Sequence, residues 1–394
     1  SRGLGDVYKR QTLYVIVSNN VEVVAIDSGL NLIEFAGGSN SWVDAQGKAA
    51  KFYQPRFITK DSSGNTYVTE LYHIRKIDSA GNVTLLAGGE TSGSVNGVGR
   101  AARFLNLQGI TVDSSGNLYV CDQNFIRKVS PTGDVESIAG DYSAGFADGT
   151  GSEARFNNPM GITMGPDGFL YVADFNNHSI RKVSTLGVVT TVTGSPYTPG
   201  YQDGSVSTAQ LSGPIDIVSD AFGTLYIADK YNYRVRKIFA NTVSTVAGNG
   251  NNAAVNGQGT GASFGPLNCI TLDDAGNIYV ADQAVLSVRK IDVAGDVTTY
   301  AGNGGWGYSN GPALTTPAFE MPYGMHFDVS QGNLYVVDFN DNLIRYVFVK
   351  GSTPGSTTYS VSYVGNGNTA GTVPVDTALY TNGSSIIVPG NTGN

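Results

Sequence analysis

Seven times along the chain a short apolar stretch carries a tyrosine followed by valine or isoleucine: Tyr14, Tyr67, Tyr119, Tyr171, Tyr226, Tyr279 and Tyr335. The steps between them are 53, 52, 52, 55, 53 and 56 residues. A nearly fixed period of this size means that one supersecondary unit is stacked on copies of itself, since a unit so small cannot bury its apolar face alone.

Each copy reads as four strands. In one of them Gly161 to Met164 is strand a, Gly165-Pro166-Asp167-Gly168 a turn, Phe169 to Ala173 strand b, Ile180 to Val183 strand c and Val188 to Thr193 strand d. The runs are short, β-branched and aromatic, and Gly, Asn, Asp or Pro separates them. Strand b is apolar on both faces: Leu118 and Val120 point one way, Tyr119 and Cys121 the other. Strands buried on both faces need sheets stacked face to face, and sheets arranged radially around an axis provide that, as in a propeller. The first copy begins at strand b, residues 12–17, and a strand near residues 385–388 is expected to complete it, closing the ring and removing two exposed edges. The fold expected is all-β, a seven-bladed propeller of four-stranded antiparallel blades occupying 12–394, with a six-bladed ring or an unclosed array as the alternatives. Residues 1–11 match no part of the repeat and are set aside as a remnant.

The repeated core reads Gly-Ile-Thr-Val-Asp, Gly-Asn-Leu-Tyr-Val-Ala-Asp, Ile-Arg-Lys-Ile and Thr-Val-Ala-Gly. Its clearest copies are Asn277 to Asp282 with Val288-Arg289-Lys290-Ile291, and Tyr171 to Asp174 with Asn177 to Arg181. This pattern resembles the NHL repeat family of β-propellers over roughly residues 12–390, whose rings usually have six blades. The extended segment after each Ala-Gly resembles bacterial secreted and surface members more than the RNA-binding animal ones. That resemblance implies an extracellular or cell-surface setting and a domain of a longer, monomeric protein.

Residues that recur in every copy are scaffold. The acids ending strand b (Glu70, Asp122, Asp174, Asp229, Asp282, Asp338) are expected to pair with Arg75, Arg127, Arg181, Arg236, Arg289 and Arg345 on strand c. An Asp or Asn eight residues before an aromatic or Leu (Asp44/Phe52, Asn96/Phe104, Asp148/Phe156, Asp203/Leu211, Asn256/Phe264) reads as a loop anchor and an inter-blade plug. The two cysteines, Cys121 and Cys269, read as small buried hydrophobes.

Ligand contacts are sought among residues that differ between copies. Strand parity puts the d–a and b–c connections at one end of the blades, and the long variable segments are all of these kinds, so they are expected to form one binding face. There the candidates are Trp42, Tyr142, Tyr197, Tyr201, Trp306 and Tyr308, whose rings suit a sugar face or a protein anchor. At the channel mouth the candidates are Arg56, Asn268, Tyr323 and, one step inward, Asp216, which together form a polar group; His326 is a further candidate near the axis, at a position that is Thr in Thr59, Thr111, Thr163 and Thr271.

Composition excludes several classes. No apolar run is long enough to span a membrane. Of 24 Lys and Arg on a chain of net charge −8, eleven belong to the strand c pairs and three to the N-terminal segment, leaving no cluster to track phosphates. With only three histidines, His73, His178 and His326, in separate copies, no three-His metal site is expected and no cofactor is implied. The expectation is a non-catalytic module that engages a protein or glycan through the long-loop face. The alternatives are a lyase or hydrolase in the channel near His326 and Asp216, and a spacer with no ligand.

Overall fold

The computed structural model describes residues 42–46, 49–302, 304, 305, 319 and 321–328. It also describes the strands Leu13–Val17, Val23–Ile26, Ala36–Gly37, Asn333–Asp338 and Leu343–Phe348. Residues 1–11, Trp306, Tyr308 and the expected terminal strand at 385–388 lie outside the described residues.

Five blades are built alike, with innermost strands a at Ile58–Lys60, Leu107–Val112, Pro159–Met164, Pro214–Ser219 and Leu267–Leu272. In the third blade strand a is followed by b (Leu170–Asp174), c (Ser179–Val183) and d (Val188–Gly194), each antiparallel to the one before. A fifth strand, e, comes from the connection that precedes strand a. Gly149–Thr150 pairs with the start of strand d, Gly149 opposite Val189 and Thr150 opposite Val188, giving the order e-d-c-b-a.

The expectation of seven four-stranded blades is therefore corrected in both numbers: among the described residues there are five blades, and each has five strands. Strand e escapes sequence reading because it is two residues long and half or fully exposed, so it has no hydrophobic period. The blade count fails at the chain ends. Tyr14 and Tyr335 mark two three-stranded sheets, Leu13–Val17 with Val23–Ile26 and Ala36–Gly37, and Pro322–Asp328 with Asn333–Asp338 and Leu343–Phe348. The latter sheet lies between the fifth blade and the first. Phe327 N donates to Thr271 Oγ1 at 3.3 Å, and Lys60 pairs with Asp328. Among the described residues the strands a of the five blades and Pro322–Asp328 follow one another around the axis, and Leu13–Val17 lies along Leu343–Phe348.

The cores lie between blades. Every residue of Leu118–Asp122 is buried, and both cysteines are buried, as expected. The plugs Phe52, Phe104, Phe156, Leu211 and Phe264 are fully buried, each a burial that stabilises by about 1.5–3 kcal/mol. Above each phenylalanine plug sits the strand c arginine, Arg181 at 5.1 Å from the Phe156 ring centroid.

That arginine ties three segments together. Arg181 Nη1 donates to Asp174 Oδ2 on strand b (2.9 Å) and to Arg155 O (3.0 Å), while Nη2 donates to Asp148 Oδ1 (2.8 Å) and Ala147 O (2.7 Å). Arg75, Arg127 and Arg236 repeat the clamp on Asp44, Asn96 and Asp203, and Arg289 binds Asn256 in the same way. The strand b acids pair with these arginines as expected, but in full burial. The Asp or Asn of the connection binds the guanidinium and the neighbouring strand d: Asp148 also accepts from Thr191 N.

The d–a connections consequently run along the outer edge of the ring. At each tip the chain is bonded to the next blade's c–d turn (Gly99 N to Gly133 O, 2.9 Å) and to the end of the previous blade's strand d (Gly88 N to Gly99 O, 3.0 Å). They stitch neighbouring blades together.

Candidate functional site

Three places hold side chains that the repeat does not account for. The first is the perimeter. Tyr197 is 83% exposed, Tyr142 64% and Tyr201 45%, on the connections entering the third and fourth blades. Tyr142 stands edge-on to Phe125, ring centroids 5.2 Å apart. Tyr201 is partly covered, with the Arg234 guanidinium 3.7 Å from its ring centroid and its hydroxyl 3.1 Å from Thr245 Oγ1. Trp42 is half-buried against His73 (4.8 Å between centroids) beneath the Arg100 guanidinium at 4.6 Å, so it serves the first blade's connection.

The second is the end of the channel where strand a begins. A β-bulge at the start of the strand re-aims the side chains there, between Pro159 and Ile162 in the third blade. Arg56 Nη1 donates to Asn106 Oδ1 (2.6 Å) and Leu107 O (3.0 Å). Asn268 Nδ2 donates to Pro322 O at 2.9 Å, and Lys230 Nζ donates to Asn268 Oδ1 at 2.7 Å. Burial lowers the Lys230 ammonium to about 8. The Tyr323 ring stands edge-on to Phe57, centroids 5.5 Å apart, and burial raises its hydroxyl pKa. Arg56, Asn268 and Tyr323 are brought together with Lys230, and their polar atoms bridge neighbouring strands.

Sequence reading missed Lys230 and the ring pair of Phe175 and Tyr231, centroids 5.6 Å apart. All three lie on b–c connections, where Phe175-Asn176-Asn177-His178 and Lys230-Tyr231-Asn232-Tyr233 differ from the other copies; that difference was the available signal. Gly213 is required beneath them. Its φ of +61° is left-handed, and a Cβ there would fall 2.5 Å from Tyr231 Cδ2.

The third place is the opposite end of the channel, beside the a–b turns. A cavity of about 600 Å³ opens there, lined by Thr59, Thr111, Thr163, Thr271, Asp216 and His326 among others. Asp216 and His326 therefore line this cavity, whereas Arg56, Asn268 and Tyr323 do not. Asp216 Oδ1 accepts from Ile217 N (2.9 Å) and Oδ2 from Ile270 N (3.0 Å). Burial pushes its carboxyl up to about 7 against those two bonds. Enclosure by the channel wall takes the His326 imidazole down to about 4, opposed by Asp328 and helped by Lys60. Among the described residues no group of three or more His, Cys, Asp or Glu is placed to hold a metal ion.

The family comparison agrees with this architecture. Residues 156–183 match the NHL repeat model. NHL repeat-containing protein 2 of Gallus gallus is 34% identical over 115 residues, 28% of this chain and 16% of that protein. Teneurin-4 of Mus musculus is 24% identical over 382 residues, 84% of this chain and 13% of that protein. The chain thus spans only a small part of the length of these curated relatives. Among solved structures, an auxiliary nutrient binding protein from Bacteroides ovatus superposes with a TM-score of 0.60 at 15% identity, covering 83% of this chain and 82% of that one. At that identity the likeness concerns the fold alone. Residues 156–183 are thus similar to the NHL repeat, and the fold around them is an all-β propeller.

Proposed function

We propose that this propeller is a non-catalytic binding module that engages a protein or glycan at its perimeter, through Tyr142 and Tyr197 with Tyr201 beside them. The observation that carries the reading is that Tyr142 and Tyr197 are largely exposed large aromatics on connections whose scaffold work is done by other residues. The Arg181 and Arg236 clamps hold those connections at Asp148 and Asp203. Exposed tyrosines on a rigid frame give apolar contact with little entropy lost on binding. We further propose an extracellular or cell-surface setting, with this propeller one monomeric domain of a longer protein.

The experiment is a screen of the purified propeller on a glycan array and against surface-protein extracts, followed by hydrogen exchange on the captured complex. Slowed amide exchange across 141–146 and 195–203 is expected on binding. Slowing confined to other parts of the ring would refute the perimeter assignment.

A further inference from the structure

The channel cavity is separate from the perimeter and has its own chemistry. Asp216 stands at a position that is Gly in Gly109, Gly161 and Gly324, and His326 at one that is Thr in Thr59, Thr111, Thr163 and Thr271. Both departures line the same cavity. The scaffold does not call for a carboxylate at this position, since three other innermost strands have only a hydrogen there. Burying one is costly unless something compensates it.

Nothing in the described wall supplies the compensating charge. Every charged residue among the lining side chains is acidic: Asp216, Asp220, Asp273 and Asp274. Lys60 is committed to Asp328, and Lys230 to Asn268 at the other end. The imidazole of His326 is held neutral near pH 7. Asp216 is 7% exposed and uses each oxygen for one backbone N–H, which leaves acceptor capacity on both. The threonine hydroxyls add further acceptors, and the rings of Phe222 and Tyr226 stand among the lining groups, offering faces that attract cations. The volume is in the range of small-molecule sites.

We infer that this cavity is a binding site for a small organic cation, an ammonium or guanidinium group on a short aliphatic body, with Asp216 as the counter-ion. Anions are disfavoured by the acidic wall. A neutral polyol would gain no charge pairing with Asp216, whereas a cation favours the ionised carboxylate.

Isothermal titration calorimetry with agmatine as the probe tests this, with glucose and inorganic phosphate as comparison ligands at the same pH. Agmatine is expected to bind saturably, and glucose and phosphate at least about tenfold more weakly. Asp216→Asn should weaken agmatine by about tenfold or more. Thr163→Val, which keeps the side-chain volume, should weaken it several-fold and serves if Asp216→Asn does not fold. Tyr142→Ala/Tyr197→Ala should leave agmatine binding unchanged, so the cavity and the perimeter fail or succeed separately. Failure of agmatine to saturate at millimolar concentrations, equal binding of glucose, or wild-type affinity in both channel variants would overturn the assignment.

Discussion

Arg181 Nη2 lies 2.8 Å from Asp148 Oδ1, joining strand c of the third blade to the connection that arrives from the second. The guanidinium is fully buried, whereas the Asp148 side chain is half exposed. The two ends of this bond are therefore worth different amounts. Removing the arginine leaves Asp174 buried without its ion partner, a loss of about 3–5 kcal/mol. Removing Asp148 leaves the arginine its bonds to Asp174, Ala147 and Arg155, and costs about 1 kcal/mol. Urea denaturation of Arg181→Met and Asp148→Ala should show that ratio in the unfolding midpoints. Equal shifts would mean that the clamp is weaker than its burial implies.

The plug beneath the clamp is a second structural test. Phe156 is fully buried and bounded by Arg181. Phe156→Leu should cost little, because the fourth blade already uses Leu211 at this position, fully buried. Phe156→Ala should lower stability by about 3–5 kcal/mol in the same urea experiment.

Close approach of the innermost strands gives a third. A Cβ on Gly161 would overlap Asp216 of the next blade, and the backbone on that side cannot move away without shifting strand a. Gly161→Ala should lower stability by about 1–3 kcal/mol, read as a lower thermal midpoint. Gly151→Ala meets open space, and its penalty should come only from the φ of +57°.

The channel pair makes a pH prediction with two opposite signs. Asp216 in the folded protein is raised from 3.8 to about 7, so its contribution to stability is full at low pH and is lost as pH rises through that interval. His326 is lowered from 6.5 to about 4, so its contribution is present above 6.5 and is lost as pH falls toward 4. Between about pH 4 and 6.5 the two slopes oppose each other and partly cancel. Relative to wild type, Asp216→Asn should therefore tilt stability upward with rising pH across this interval, and His326→Thr should tilt it downward. Thermal midpoints measured from pH 4 to about 7.5 check this, and parallel curves for all three proteins would contradict it.

Much of the scaffold was legible in the sequence because it repeats. The strands, the aromatic plugs and the acid–arginine pairs all follow from residues present in nearly every copy, such as Asp174 with Arg181 and Phe156 with Asp148. The blade count was not legible at the ends. Tyr14 and Tyr335 look like the other anchors, but whether a copy forms its own innermost strand depends on tertiary packing. The placement of the connections was hidden by strand e: Gly149–Thr150 has no pattern of its own, yet its two residues carry the loop to the outer edge. Candidate site residues were identified as departures from the repeat. Their grouping was not readable, because a bulge at the start of strand a breaks the alternation there, and Asp216 and His326 line the cavity while Asn268 and Tyr323 do not.

The central claim is that repeated residues hold this propeller together while the exposed, unrepeated tyrosines are free to bind. Thermal midpoint and ligand capture measured on one preparation of Tyr142→Ala/Tyr197→Ala test it most directly. The account predicts a midpoint within a few degrees of wild type together with lost capture of the glycan or protein that wild type retains. Undiminished capture by the folded double variant would contradict it.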